Sequence, residues 1–322
     1  MHTKLGKLLI AVGLAVGLTP TTVMGQTDYP DKPISIIVPY GPGGTTDLVG
    51  RALAESLSQQ LGQPVVIENK PGAAGAMGAI SMIGAKPDGY RLTMAPVGIF
   101  RQPYIQQTRY DPIRDLTYIA SFLTYDFAVT VKDDSPFKTI KELVDYAKQN
   151  PGDLDYGTPG RYTGNQVVMA LLGKRTGTEF THVPFKGDAD ATTALIGGHV
   201  KLAVVTNSIL TYLKSGTVRV LATADKERNP AFTNVPTLLE SGYDVIVPSP
   251  LGLAGPAGLP QPIVEKLDNA VKAALEDPKV KQVFENIGVR EYYMDHKTYA
   301  DFAKKNFAAE KDIVTDLDLE KN

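Results

Sequence analysis

The chain has 322 residues, of which 43% are hydrophobic and 21% charged, and its formal net charge is −2 at pH 7. A chain of this length can bury a sizeable core and is expected to form two domains. The small net charge and the lack of a long basic stripe argue against a nucleic-acid partner. With no cysteine, disulfides and thiolate metal sites are excluded.

The N-terminus has the pattern of a secretory signal peptide. Lys4 and Lys7 precede an apolar run over 8–18, and small residues surround Gly25. The run is about half of the ~20 residues that span a bilayer, which disfavours the alternative, a permanent anchor. We therefore expect residues 1–25 to be a cleaved signal peptide and the mature protein to be periplasmic.

The first half of the mature chain alternates predicted strands with predicted helices. The segments in order are KPISIIVPY, a helix over 45–62, PVVIE, a helix over 73–86 and YRLTMA. Within the first helix, Val49, Leu53 and Leu57 recur every four residues, which predicts one buried helix face. Strand, helix and strand in succession indicate a parallel sheet.

A second series of the same kind follows. It comprises FAVTV, a helix opening with a Thr139–Glu142 capping box, LDYG, a helix near 164–176, THVPF, a helix near 189–197 and KLAVV. After VRVLATA the chain becomes irregular and proline-rich, and it ends in helical stretches predicted at 261–276, 278–287 and 297–317.

These two series predict two α/β domains without a flexible linker. Each domain is expected to be a mostly parallel sheet flanked by helices, with the chain crossing between domains near 121–128 and 220–226. Domain 1 would then be discontinuous, 26–123 plus 224–322, and domain 2 would be 124–223. A ligand cleft is expected between them.

The turn PYGPGGTTD precedes the first long helix, a position that favours anion binding. It lacks the lysine and spacing of a P-loop and the third glycine of a dinucleotide loop. Gly43 and Gly44 allow close backbone approach, and Thr45 or Thr46 can cap the helix or offer a hydroxyl. The alternative is a turn whose glycines serve geometry only.

Three further strand ends share this character. The segments 69–78 and 156–166 open helices with glycine, and 95–103 carries Phe100 and Arg101. Arg161 and Tyr162 lie in the second of them. An arginine can pair with a carboxylate and an aromatic ring can lie against an apolar ligand body, although each arginine alone is also typical of a solvated surface.

Taken together, PYGPGGTTD, VIENKPGAAG, KPDGYRL, YGTPGRYTGN, HVPFKG and VPTLLESGYD resemble the Bug-type extracytoplasmic solute receptors of tripartite tricarboxylate transporters, in order from about 30 to 290. The resemblance implies a two-domain periplasmic-binding-protein fold. It also implies a small carboxylate ligand, membrane transporter subunits as partners and no cofactor. We expect a monomer.

The resemblance implies ligand contacts at the strand–helix loops of both domains. The candidate ligand-binding residues are Tyr40, Gly43, Gly44, Thr45, Thr46, Gly75, Phe100, Arg101, Thr158, Arg161, Tyr162, Thr163, Asn165, Gln166 and Asn207. Family members commonly carry histidine where Gln166 stands and a small residue or Asn where Arg161 stands.

These departures bear on the ligand. Phe100 with Arg101 or Arg161 would suit a dicarboxylate with a hydrophobic body, for example terephthalate, with one arginine pairing with the far carboxylate. Asp188 and Asp190 follow PFKG, where helix capping is expected. An acid facing a carboxylate ligand would repel it, so both are left out of the predicted site.

Two other functional classes are an enzyme and a ligand-presenting co-sensor. An enzyme is disfavoured, because there is no G-x-S-x-G elbow or thiol nucleophile, and none of the four histidines has zinc-ligand spacing (His2, His182, His199 and His296). No metal site is expected. A co-sensor that presents ligand to a signalling kinase would share the fold and remains the alternative to a transport receptor.

Overall fold

The computed structural model describes His2 and residues 29–319. The predicted signal peptide at 1–25 lies outside the described residues except for His2. Within the described part of the chain, no helix is both long enough and apolar enough to cross a membrane.

The strands of the described chain form two sheets. They are β1 (Ile34–Val38), β2 (Val65–Asn69), β3 (Arg91–Ala95), β4 (Leu116–Thr124), β5 (Ala128–Lys132), β6 (Asp155–Thr158), β7 (Thr181–Pro184), β8 (Leu202–Val205), β9 (Val218–Thr223), β10 (Pro250–Pro256) and β11 (Arg290–Met294). One sheet has the order β11-β4-β10-β3-β1-β2 and the other β7-β6-β8-β5-β9. We call the units built on them the six-stranded domain and the five-stranded domain.

Helices cover these sheets. They are α1 (Thr45–Leu61), α2 (Ala76–Ile80), α3 (Gly98–Ile105), α4 (Ile140–Gln149), α5 (Gly164–Thr176), α6 (Asp188–Ile196), α7 (Leu210–Lys214), α8 (Gln261–Leu275), α9 (Pro278–Ile287) and α10 (His296–Asp316). In α1, Val49, Leu53 and Leu57 are buried as their spacing predicts, and Gly62 ends the helix at φ 69°.

The predicted two-domain α/β fold is confirmed, but each sheet is mixed. The pairs β1–β2, β1–β3, β6–β7 and β6–β8 are parallel. In contrast, β5 and β10 pair antiparallel with both of their neighbours. Both strands enter their sheet from the other domain, so no crossover helix within one sheet sets their direction.

The predicted helix over 73–86 is mostly wrong. The chain instead makes a 3-10 turn at Ala73–Gly75, then the short helix α2. Ala73, Ala74 and Gly75 all have positive φ, a region that a regular right-handed helix does not use. The expected strand crossings are replaced by irregular segments, 125–127 and 224–249, that join the two sheets.

Candidate ligand-binding cleft

A cavity lies between the two domains where the loops after their strands meet. Its walls are Tyr40, Gly41, Gly44, Thr46, Pro96, Val97, Gly98, Tyr125, Phe127, Pro159, Gly164, Asn165, Asp188, Thr206 and Ser249. The empty space in and around it is about 430 Å³, which includes open solvent at the mouth. The centre of a water molecule can reach only about 20 Å³ of this space. That is enough room for one or two waters, so the cleft is closed.

Four helices begin at this cavity, two from each domain. Gly44, Gly98, Gly164 and Asp188, at the starts of α1, α3, α5 and α6, line it. None of the four helices has a side-chain cap. Thr163 precedes α5, but its hydroxyl donates to the Gly160 carbonyl at 3.0 Å. In α3 the N–H groups of Ile99 and Phe100 bond to the Pro96 and Val97 carbonyls, so the free N–H groups come mainly from α1, α5 and α6. These groups and the helix dipoles converge on one small volume, which favours an anion.

The long helices that begin away from the cavity have a side-chain cap or a proline at their N-terminus. Thr139, Asp277 and Asp295 cap α4, α9 and α10 with their side chains. The remaining long helix, α8, has proline in its first turn, which removes one unpaired donor. Missing caps are thus concentrated at the cavity among the long helices of the described chain.

Aromatic side chains form the rest of the wall. Tyr40, Tyr125 and Phe127 line the cavity, and the Tyr125 hydroxyl lies 2.6 Å from the Thr46 hydroxyl. Burial raises the pKa of Tyr40, and the charge of Asp188 raises it further. Burial also raises the pKa of Tyr125. Both phenols therefore stay neutral and can act as hydrogen-bond partners.

Hydrogen bonds across the cleft hold it closed. Gly41 N–H donates to the Lys186 carbonyl at 3.0 Å. The Thr45 hydroxyl lies 2.7 Å from that of Thr206 and accepts from the Ser208 N–H at 2.8 Å. These bonds join the turn before α1 to the five-stranded domain, so opening the cleft requires breaking them.

Of the predicted site residues, Tyr40, Gly44, Thr46 and Asn165 line the cavity. The others from the six-stranded domain are not among the cavity's lining residues. Gly43, at φ 83°, donates its N–H to Asp47 Oδ2 at 2.9 Å. At Gly75, a Cβ would come within 2.4 Å of Pro96 and 3.0 Å of the Tyr40 hydroxyl, so this glycine permits the packing of two wall residues.

Several of the predicted residues in the five-stranded domain form hydrogen bonds within that domain. Thr158 Oγ1 lies 2.7 Å from His182 Nε2, and burial lowers the pKa of His182 to about 4. Tyr162 N–H donates to Gln166 Oε1. Tyr162 has φ 61°. These contacts shape the loop before α5 rather than the cavity wall.

The structure corrects the predicted role of Phe100 and Arg101. Phe100 is buried and stacks on Tyr118 with ring centroids 5.9 Å apart. Arg101 is fully buried and forms a two-pronged ion pair with Glu310, with Nε and Nη2 at 2.7 and 2.9 Å from the carboxylate oxygens. The charge of Arg101 is thus already compensated. Its Nη1 donates to the Tyr162 carbonyl at 2.9 Å, which adds another contact between the domains.

Arg161 and Asn207 also lie outside the cavity wall. Arg161 is exposed and lines two open grooves beside the cleft. Asn207 is buried at the junction of the domains, where its Oδ1 accepts from Asp126 N–H and its Nδ2 donates to Asp126 Oδ2, both at 2.8 Å. It holds the connection between the domains instead of a ligand.

The remaining wall residues were missed by the sequence reasoning. They are Gly41, Pro96, Val97, Gly98, Tyr125, Phe127, Pro159, Gly164, Asp188, Thr206 and Ser249. Most of them lie inside or beside the glycine-containing loops that the sequence predicts to contact the ligand. Asp188, predicted as a helix-capping residue and left out of the site for its charge, makes no side-chain cap on α6; it lines the cavity and is 6% exposed.

The matching family model is the tripartite tricarboxylate transporter family receptor, over residues 49–319. The chain belongs to this family. A relative in Cupriavidus necator, the UPF0065 protein in the gbd 5′ region, is 39% identical over 314 residues, which is 97% of this chain and 96% of the relative. BugT of Bordetella pertussis is 30% identical over 288 residues, 86% of this chain and 87% of BugT.

Solved structures give the same fold. The periplasmic binding protein BugD superposes with a TM-score of 0.86 at 29% identity, over 91% of this chain and 99% of BugD. MatC from Rhodopseudomonas palustris, with bound malate, has a TM-score of 0.82 at 27% identity, over 89% and 100%. An R. palustris protein with adipate has 0.85 at 27%, over 90% and 98%. This chain is therefore a Bug-type solute receptor rather than an enzyme.

Proposed function

We propose that this protein captures a small carboxylate in the cleft and delivers it to the membrane subunits of a tripartite tricarboxylate transporter. The observation that carries the proposal is the meeting of four uncapped helix N-termini at one closed cavity. Such a site stabilises a carboxylate through backbone N–H groups and helix dipoles without a basic side chain.

The related structures support the ligand class. One holds malate and another holds adipate, both dicarboxylates. The earlier reason to favour an aromatic dicarboxylate was an arginine beside Phe100, and that reason is lost because Arg101 pairs with Glu310. We therefore propose a small carboxylate bound by main-chain groups, without an arginine clamp.

Closure of the cleft is the proposed mechanism. The space left between the domains, about 20 Å³ for the centre of a water molecule, is too small for such a ligand. The domains must separate to admit it and then close around it. Contacts made by both domains favour the closed form, because a ligand shifts an equilibrium only by binding one state more tightly.

We also propose the limits of the two domains and the location of the protein. The domain limits 26–123 plus 224–322 and 124–223 are supported by the sheets, since β5 to β9 form one sheet and all other strands the other. A periplasmic location is supported by the signal-peptide pattern in 1–25 and by membership in a receptor family. Mass spectrometry of the exported protein should find an N-terminus near Gln26.

Ligand binding can be tested on mature protein, residues 26–322. Melting temperatures are measured with malate, succinate, adipate and terephthalate, with succinamide as the control that lacks a carboxylate. A ligand of the folded state adds RT ln(1 + [L]/Kd), about 2.7 kcal/mol at a hundred times Kd. We expect at least one carboxylate to stabilise the protein and succinamide to have no effect. Stabilisation by none of the carboxylates would contradict the proposal.

Delivery needs a separate measurement. Uptake of the ligand found above is followed in cells that produce transporter membrane subunits with or without this receptor. Uptake that depends on the receptor is expected. Uptake that is the same in both cells would contradict the transport role and leave ligand capture standing.

A further inference from the structure

Asp188 is the one formally charged side chain among the residues that line the cavity in the described chain. It is the first residue of α6 and is 6% exposed. A Cβ placed on Gly44 would lie 3.3 Å from the Asp188 Cβ. The carboxylate therefore belongs to the five-stranded domain but faces the start of α1 in the six-stranded domain.

A directed chain of hydrogen bonds ends at this carboxylate. Ser208 N–H donates to the Thr45 hydroxyl at 2.8 Å, and that hydroxyl lies 2.7 Å from the Thr206 hydroxyl. Thr206 in turn donates to Asp188 through its hydroxyl and through its N–H at 3.2 Å. The Thr206 hydroxyl has a single hydrogen and two oxygen neighbours, Thr45 and Asp188. When Asp188 is ionised and accepts that hydrogen, the Thr45 hydroxyl supplies the hydrogen between the two threonines.

The two donors from Thr206 leave acceptor capacity on Asp188, because a carboxylate offers about four acceptor positions. Burial raises the pKa of Asp188 to about 6, so the carboxyl group is mostly ionised at pH 7.5. Neither Lys, Arg nor His is among the residues of the cavity wall. A positive partner for Asp188 inside the cavity must therefore come with the ligand.

The surroundings of Asp188 also suit a cation. Tyr40, Tyr125 and Phe127 line the same cavity, and the charge of Asp188 acts on the phenols of both tyrosines. Aromatic faces attract an ammonium group, most strongly when water is excluded. The uncapped helix N-termini favour a carboxylate, so this one wall offers complementary partners for both charges of a zwitterion.

We infer that Asp188 selects a carboxylate that also carries an ammonium group, so that the cleft prefers an amino acid to the matching plain carboxylate. The inference rests on the proposed function, because it assumes that the ligand binds in this cavity. A plain carboxylate would bring a second negative charge beside Asp188 in a closed space. An amino acid would bring the counter-charge that the wall lacks.

Matched ligand pairs test this by calorimetry at pH 7.5 on mature protein. The pairs are aspartate and succinate, glutamate and glutarate, and phenylalanine and 3-phenylpropionate, which differ in the amino group. For any pair that binds, we expect the amino member to have a Kd at least about tenfold lower. In Asp188→Asn this preference should shrink at least about tenfold, with the plain member bound as well or better.

Asp190→Asn is the matched control, since Asp190 is an exposed acid in the same first turn of α6, and its preference should equal that of the wild type. A plain member that binds wild type as tightly as its amino partner contradicts the inference, and this comparison does not depend on the variant folding. An unchanged preference in Asp188→Asn also contradicts it. Both results leave carboxylate capture intact, whereas binding of no plain or amino carboxylate contradicts both proposals.

Discussion

The buried acid Asp188 should give the protein a distinctive dependence of stability on pH. Burial raises its pKa from 3.8 to about 6, so the folded state holds this proton more tightly than the unfolded state. Its contribution to stability is present at low pH and is lost as the pH rises through 3.8 to about 6. At about 1.4 kcal/mol per pKa unit, the change is about 3 kcal/mol.

We therefore expect the free energy of unfolding of wild type, relative to Asp188→Asn, to fall by up to about 3 kcal/mol between pH 4 and pH 7.5. Urea denaturation of ligand-free protein measures it. The exposed Asp190→Asn variant should show no such trend relative to wild type. A difference between wild type and Asp188→Asn that stays constant with pH would mean that the carboxyl group titrates normally.

A substitution at Gly44 tests the part of the cavity wall that belongs to the six-stranded domain. Its φ of −82° suits any residue, so Gly44→Val does not strain the backbone. The new side chain would meet Asp188 across the cleft, where even a Cβ is at 3.3 Å. We expect ligand affinity to fall at least about tenfold, in line with the 1–3 kcal/mol cost of overpacking.

Calorimetry with the ligand found for wild type makes this measurement. Gln59→Ala, at an exposed position on the same helix α1, should bind normally. Wild-type affinity in a folded Gly44→Val protein would remove the turn before α1 from the binding site.

At the scale of single residues, glycines from the strand ends singled out in the sequence do line the cavity between the domains, because glycine in a turn is a local feature. The ion pair of Arg101 was not predictable from the sequence, since its partner Glu310 lies 209 positions further along the chain. Asp188 was left out because of a repulsion argument, and its place in the cavity wall depends on contacts between the domains that the sequence does not record.

At the scale of elements, the Arg101–Glu310 pair ties α3 to α10 and reaches the loop before α5. Both side chains are buried, at 1% and 3% exposure. Removing one member of a buried pair leaves an uncompensated charge and costs about 3–5 kcal/mol. We expect Arg101→Ala to lose stability by about this amount in urea denaturation.

The double variant Arg101→Met/Glu310→Leu is the control, because it removes both charges and should recover most of the loss. A stable Arg101→Ala protein that has specifically lost carboxylate binding would instead restore Arg101 as a ligand contact.

Two of the long helices were the elements best predicted. α5 and α9 match their predicted bounds of 164–176 and 278–287, because each ends at a glycine with positive φ, Gly177 or Gly288, which is a local signal. The prediction failed at 73–86, where consecutive residues with positive φ break the helix. Alanine has a high helix propensity, and nothing local in the Ala-Ala-Gly run shows that packing against neighbouring loops imposes another conformation.

At the scale of the molecule, the two segments between the sheets meet in one partly buried network. Arg290 Nη2 lies 3.0 Å from Asp126, in the segment 125–127, and also pairs with Asp225, at the start of the segment 224–249. Burial raises the pKa of Asp126, while the bond from Asn207 and the charge of Arg290 oppose the rise. A network at both connections is placed to set the angle between the domains.

We expect Arg290→Ala to destabilise the protein by about 2 kcal/mol, less than a fully buried pair because Arg290 is 30% exposed. It should also enlarge the radius of gyration of ligand-free protein in X-ray scattering. Arg228→Ala breaks an exposed pair with Glu240 and should change neither quantity much. An Arg290→Ala protein as stable and compact as wild type would exclude this role.

The overall architecture followed from the alternation of strands and helices, and it was predicted correctly. Strand direction was predicted less well, because β5 and β10 enter from the other domain and the sequence does not record that path. The closure of the cleft was also beyond local patterns, since bonds such as Gly41 to Lys186 join segments far apart in the chain.

The most direct test of the central claim is a crystal structure of the mature protein with a carboxylate that stabilises it. The account predicts a carboxylate group in the cavity between the domains, with its oxygens about 3 Å from N–H groups at the start of α1 or α3 and of α5 or α6. A ligand bound instead in the open grooves beside Arg161, with the cavity between the domains unoccupied, would contradict it.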